Sequence, residues 1–141
     1  TLGLTYNATP ALAISGGLDT SLLEAKTTAQ AYWSNIAHLD VNYVLPWRSF
    51  VLASVSHEWR NYHSPDAFVS DTLKRRDNIY LAGVTYGLPL ETLVSDETYV
   101  NILQGFVVSV FANYERNASS IPNYDWSTYR LGGLLTKRWQ L

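Results

Sequence analysis

Two stretches of this chain alternate apolar and polar side chains with a period of two, and on the apolar side each carries two aromatic rings ten residues apart. Over residues 33–45 the odd positions read Trp33, Asn35, Ala37, Leu39, Val41, Tyr43 and Leu45, against Ser34, Ile36, His38, Asp40, Asn42 and Val44. Over residues 129–141 they read Tyr129, Leu131, Gly133, Leu135, Lys137, Trp139 and Leu141, against Arg130, Gly132, Leu134, Thr136, Arg138 and Gln140. A period of two is a β-strand with one oily and one wet face. Ten residues rising ~3.3 Å each and tilted ~40° cover about 25 Å, the height of the lipid-facing band of a membrane barrel. Rings at both edges suit the two membrane–water interfaces. The expected fold is an all-β antiparallel transmembrane β-barrel, or its C-terminal half, with about seven or eight strands in this chain.

Composition narrows the alternatives. Hydrophobic residues make up 47% of the 141 and charged residues 16%, yet no apolar run approaches the ~18 residues that a membrane helix needs. Ten Tyr and five Trp supply interface belts. With no Cys and three dispersed histidines, neither a disulfide framework nor a metal-ligand spacing can be read, and no cofactor motif is present. A net charge of −2 without a basic stripe argues against nucleic acid as a partner. The opening TLGLTYNATP has no initiator Met and no leader pattern. We therefore expect one β-barrel domain over residues 1–141 that forms the C-terminal portion of a longer polypeptide.

Turn chemistry divides the chain into seven candidate strands at 1–6, 11–18, 32–45, 49–62, 76–88, 99–116 and 128–141. With the last strand ending in the periplasm, the long polar connections at 19–31, 63–75 and 117–127 all fall outside. The connections at 7–10, 46–48 and 89–97 then fall inside, as in bacterial outer-membrane barrels. Antiparallel closure wants an even strand count, so either residues 21–30 hide another strand or further strands lie beyond this chain.

The interface girdle expected from this facing comprises Trp33, Tyr43, Trp59, Tyr80, Tyr86, Tyr114, Tyr129 and Trp139. The lumen-lining candidates are His38, Asp40, Asn42, Glu58, Arg60, Asp77, Asn101, Glu115, Arg130 and Arg138. These polar groups either guide a polar solute or pair across neighbouring strands and stiffen the sheet. Gln104 and Lys137 fall on the apolar side; Lys137 is close enough to the strand end to carry its ammonium to the interface, whereas Gln104 is not. His38 and Asp40 share the polar face with Ser54 and Ser56, which permits a hydrolase arrangement without indicating one, and no catalytic residue is assigned. Tyr62, Phe68, Tyr124 and Trp126 sit at loop positions where rings either stack on sugars or anchor loops in headgroups. A soluble β-sandwich or lipocalin-like ligand binder also alternates, but its strands usually run ~5–6 residues.

From Asn113 onward the chain reads NYERNASSIPNYDWSTYRLGGLLTKRW. With Tyr114, Arg116, Ser119, Ser120, Tyr124, Asp125, Tyr129 and Leu131, this resembles the closing hairpin of Gram-negative barrels of the β-barrel porin 2 type, associated with exopolysaccharide loci. It is similar, more weakly, to the C-terminal barrels of surface lipoprotein assembly modifiers. Arg75-Arg76-Asp77 leading to Val84-Thr85-Tyr86 is a second match. The resemblance implies a bacterial outer-membrane pore or export conduit for polar solutes, polysaccharide among them. It also implies outer-membrane lipid and the barrel assembly machinery as partners, the latter through the last strand, and a polysaccharide or periplasmic partner. The alternative is a plugged barrel that binds a partner through its loops. Such barrels commonly end on an aromatic, where this chain has Leu141, and Thr136 stands where a glycine is usual.

Overall fold

The computed structural model describes residues 1–69 and 71–138. Its seven strands are β1 (Leu2–Thr9), β2 (Leu12–Leu23), β3 (Tyr32–Val44), β4 (Phe50–Tyr62), β5 (Arg76–Pro89), β6 (Phe106–Ser119) and β7 (Trp126–Lys137). All belong to one antiparallel sheet in which each strand pairs with its neighbours in sequence. Long strands form because alternation persists for a dozen residues, so one register satisfies both faces throughout. Trp139, assigned to the girdle, and Leu141 lie outside the described residues.

Each turn stops its strands for a local reason. Pro46 has no N–H to continue the β3 ladder. The chain reverses through Trp47 and Arg48, both with positive φ (58° and 55°), and Leu45 N–H closes the loop on Ser49 O at 2.8 Å. Such left-handed non-glycine residues each cost about 1–2 kcal/mol. At the other short turn, β1 carries a bulge between Asn7 and Thr9.

The third connection on this side departs from expectation. Residues 99–103, read above as the start of a strand, belong to helix α1 (Glu97–Leu103), preceded by a short 3₁₀ turn at Leu90–Leu93. Asp96 caps α1 by accepting the Thr98 N–H at 2.8 Å, a signal that outweighs the local period-two pattern. Gly105, at φ 78°, then turns the chain into β6; its N–H donates to Glu91 Oε2 (2.8 Å) and its carbonyl accepts from Arg138 N–H (2.9 Å). Two placements are corrected by this: Asn101 lies on α1 and lines no strand face, and Gln104 is the residue that follows the helix. The polar residue that seemed to sit in the lipid band is therefore in a turn. Residues 21–23 extend β2, and no separate strand forms within 24–30.

A packed interior is what the sheet lacks. Among the described residues the buried hydrophobic ones are Ala31, Ile79 and Ile121, whereas most large apolar side chains are exposed, Leu4 by 77% and Leu131 by 83%. Leaving a Leu in water forfeits about 1.5–3 kcal/mol, so these exposed side chains carry a large unburied apolar surface.

Candidate functional site

Register sorts the side chains onto two faces. One row crosses the sheet as Tyr6, Ile14, Val41, Ala53, Val84, Ala112 and Leu131; the next reads Leu4, Gly16, Leu39, Val55, Ala82, Tyr114 and Tyr129. The intervening row, on the opposite face, reads Thr5, Ser15, Asp40, Ser54, Gly83, Asn113 and Arg130. Thus one face is apolar and the other carries hydroxyls, amides and charges.

The girdle positions on the apolar face are stepped. Trp33 pairs with Asn61, and Trp59 lies two residues deeper on β4; Trp59 pairs with Asn78, and Tyr80 lies two deeper on β5. Tyr80 pairs with Arg116, and Tyr114 lies two deeper on β6, directly opposite Tyr129. Three steps of two residues and one of none average to the slope of strands tilted about 45° against a level plane. Contacts reinforce the line. His57 stacks on Tyr80 (centroids 4.2 Å), touches Trp59 (4.0 Å) and shares a hydrogen bond with Asn78 Oδ1 (3.3 Å). Tyr114 and Tyr129 rings lie 4.7 Å apart. Tyr43 and Tyr86 occupy the same face toward the other strand ends, flanking Val51 in one row. Lys137 ends β7 with its ammonium 4.6 Å over the Phe106 ring.

On the polar face, His38, Asp40, Asn42, Glu58, Arg60, Asp77, Glu115 and Arg130 share one parity. Arg138 keeps that parity but lies past the end of β7, beside Gly105. Much of this face is internally paired. Arg60 grips Glu58 with two hydrogen bonds (2.6 and 2.8 Å), and Ser34 donates a third to Glu58 (2.5 Å). Arg130 reaches Glu115 at 2.7 Å, and His38 Nδ1 lies 3.6 Å from Asp19.

Asp77, only 1% exposed, is held by Arg75 through contacts of 2.9 and 2.5 Å rather than by the Glu58–Arg60 pair. The Arg75 guanidinium stacks on Tyr124 (3.7 Å) and Tyr62 (4.7 Å), and the Tyr62 ring packs on Tyr32 at 5.0 Å. Tyr124 O accepts from Asn117 Nδ2 (2.8 Å), and Tyr124 O–H reaches Asp66 at 3.5 Å. Of the four rings expected at loop positions, Tyr62 instead ends β4 and Trp126 begins β7; Tyr62 and Tyr124 serve this cluster, while Phe68 is fully exposed. The connections at 63–75 and 120–125 are drawn together over one end of the polar face. Arg75, noted only within the Arg75-Arg76-Asp77 match, and Asp19 were not among the lumen candidates; Asp19 becomes visible only once β2 is known to run to Leu23.

A hollow of about 480 Å³ opens on the middle of the polar face among Ser15, Asp40, Asn42, Ser54, Thr85 and Asn113. His38 stands opposite Ser56, and Asp40 opposite Ser54, but among the described residues no serine hydroxyl bonds a histidine ring. No group of three metal-ligating side chains occurs among the described residues.

The fold and faces define an all-β antiparallel sheet protein with one apolar and one polar surface. No protein-family model matches the chain, and neither a curated protein nor a solved structure matches it.

Proposed function

We propose that this sheet is part of an outer-membrane β-barrel that conducts or exports polar solutes, its apolar face in lipid and its polar face toward a lumen. The observation that carries the reading is the apolar face itself. It is exposed over all seven strands and edged by aromatics stepped as tilted membrane strands require. Polysaccharide is the solute class implied by the resemblance of the closing hairpin, and the lumen candidates are the polar-face residues His38, Asp40, Asn42, Glu58, Arg60, Asp77, Glu115 and Arg130. Lipid is the first partner, and assembly through β7 the second.

The clamp around Arg75 favours a second reading, a barrel plugged at one mouth whose loops bind a partner. Conductance separates the two. A detergent-folded protein that shifts on unboiled gels and opens stable channels in a planar bilayer supports the conduit. A heat-dependent shift without channels supports the plugged barrel, and a chain that stays dispersed without detergent overturns both.

A further inference from the structure

We propose that Asp40 is the charge-selecting residue of the conduit, making it prefer cationic over anionic solutes; this rests on the conduit reading above. Five carboxylates lie on the polar face, and four of them meet a basic group: Asp19 meets His38, Glu58 meets Arg60, Asp77 meets Arg75 and Glu115 meets Arg130. Among the described residues Asp40 has no ion-pair partner. It is half-buried, and its direct neighbours across both adjacent strands are the uncharged Ser15 and Ser54.

Along its own strand it is flanked by Asn42 and by His38, whose ring is turned to Asp19. The hollow beside it is lined by the hydroxyls of Ser15, Ser54 and Thr85 and the amides of Asn42 and Asn113, with Ala13 and Leu52 among its apolar walls and no basic side chain. Arg130 sits in the same row but four strands away, about 19 Å at ~4.8 Å per strand. That exceeds the ~8–10 Å over which salt screens a charge at physiological strength.

Asp40 therefore stands open beside the space a solute would cross, while Glu58, Asp77 and Glu115 are cancelled by arginines and Asp19 is cancelled only when the His38 ring is protonated. The hollow has the chemistry to take an ammonium or a partly hydrated metal cation: a carboxylate for charge, with hydroxyl and amide oxygens replacing water. A unit charge at ~7 Å in water changes the local concentration of a monovalent ion about threefold, which sets the expected size of the effect.

The test is the reversal potential of the full chain in a planar bilayer under a potassium chloride gradient, for wild type, Asp40→Asn and Asp40→Lys. Folding of each variant is checked by its heat-dependent gel shift. The wild type should prefer K⁺ over Cl⁻. Asp40→Asn should lower the permeability ratio about sevenfold at low salt, the lost cation enrichment and the lost anion exclusion each contributing about threefold, and Asp40→Lys should lower it further. Glu115→Gln, which frees Arg130 outside the hollow, should move the ratio less than Asp40→Asn. Channels whose ratio is unchanged by both Asp40 substitutions overturn this assignment alone. A wild type that shows the heat-dependent shift yet opens no channels overturns the conduit reading and the assignment with it.

Discussion

Phe111 lays its ring across Gly132, its direct partner on the next strand, so closely that a β-carbon on Gly132 would collide with the ring. Phe50 covers its partner Gly87 in the same way, and His38 and Asn113 overlie Gly17 and Gly83. All four pairs lie on the polar face. A flat-lying side chain there covers the backbone of the next strand and leaves the space above the sheet open, which an upright Phe would fill.

Gly132→Ala and Gly87→Ala should each destabilise the fold by about 1–3 kcal/mol, since the ring must leave its seat to admit a methyl. Gly133→Ala faces the other way, with its nearest neighbour at 3.6 Å, and should be neutral within about 0.5 kcal/mol. Urea unfolding in detergent, followed by tryptophan fluorescence, separates these. Equal losses at Gly132 and Gly133 would count against the ring-over-glycine account.

Arg75→Ala strands the buried Asp77 carboxylate and removes the stack on Tyr62 and Tyr124. Breaking a buried pair from one side costs about 3–5 kcal/mol locally. Proteolysis within residues 63–75 and 120–125 should accelerate in this variant, and less so in Asp77→Asn, which removes the buried charge while Arg75 keeps its stack on Tyr62 and Tyr124. Unchanged cleavage in Arg75→Ala would mean that the clamp does not hold the loops.

Val84→Arg places a charge in the middle of the apolar face, whereas Ser54→Arg places one on the polar face a strand away. Within a bilayer the first should cost about 2–4 kcal/mol and lower the yield of folded protein in lipid vesicles. The second should fold normally. If Ser54→Arg proves the more damaging, the two faces are reversed with respect to lipid.

Much of this was legible in the residues because a strand's period of two needs no tertiary knowledge. The facing of Leu39, Val55, Ala112 and Leu131 and the strand order follow from alternation and adjacency, whereas Glu58 and Arg60 pair within β4 and not across strands. Residues 99–103 misled because Val100 and Ile102 satisfy a strand pattern while Tyr99, Ile102 and Leu103 satisfy a helix, and the Asp96 cap decides between them. The clamp of Arg75 on Asp77 was not legible because Arg75 stands in a loop, where no periodicity marks a side chain folding back over a strand. The ring-over-glycine pairs required the register, since Phe50 and Gly87 are far apart in the chain and meet only across β4 and β5.

The most direct test of the account is a cysteine walk along β6, clean because the chain has no native Cys. Single cysteines at positions 108–114 are labelled in lipid vesicles with a polar thiol reagent, and in parallel with a fluorophore exposed to a lipid-chain quencher. The account predicts strict alternation: positions 108, 110, 112 and 114 are quenched from lipid and label slowly, and positions 109, 111 and 113 do the reverse. Uniform labelling, or quenching at the odd positions, would contradict it.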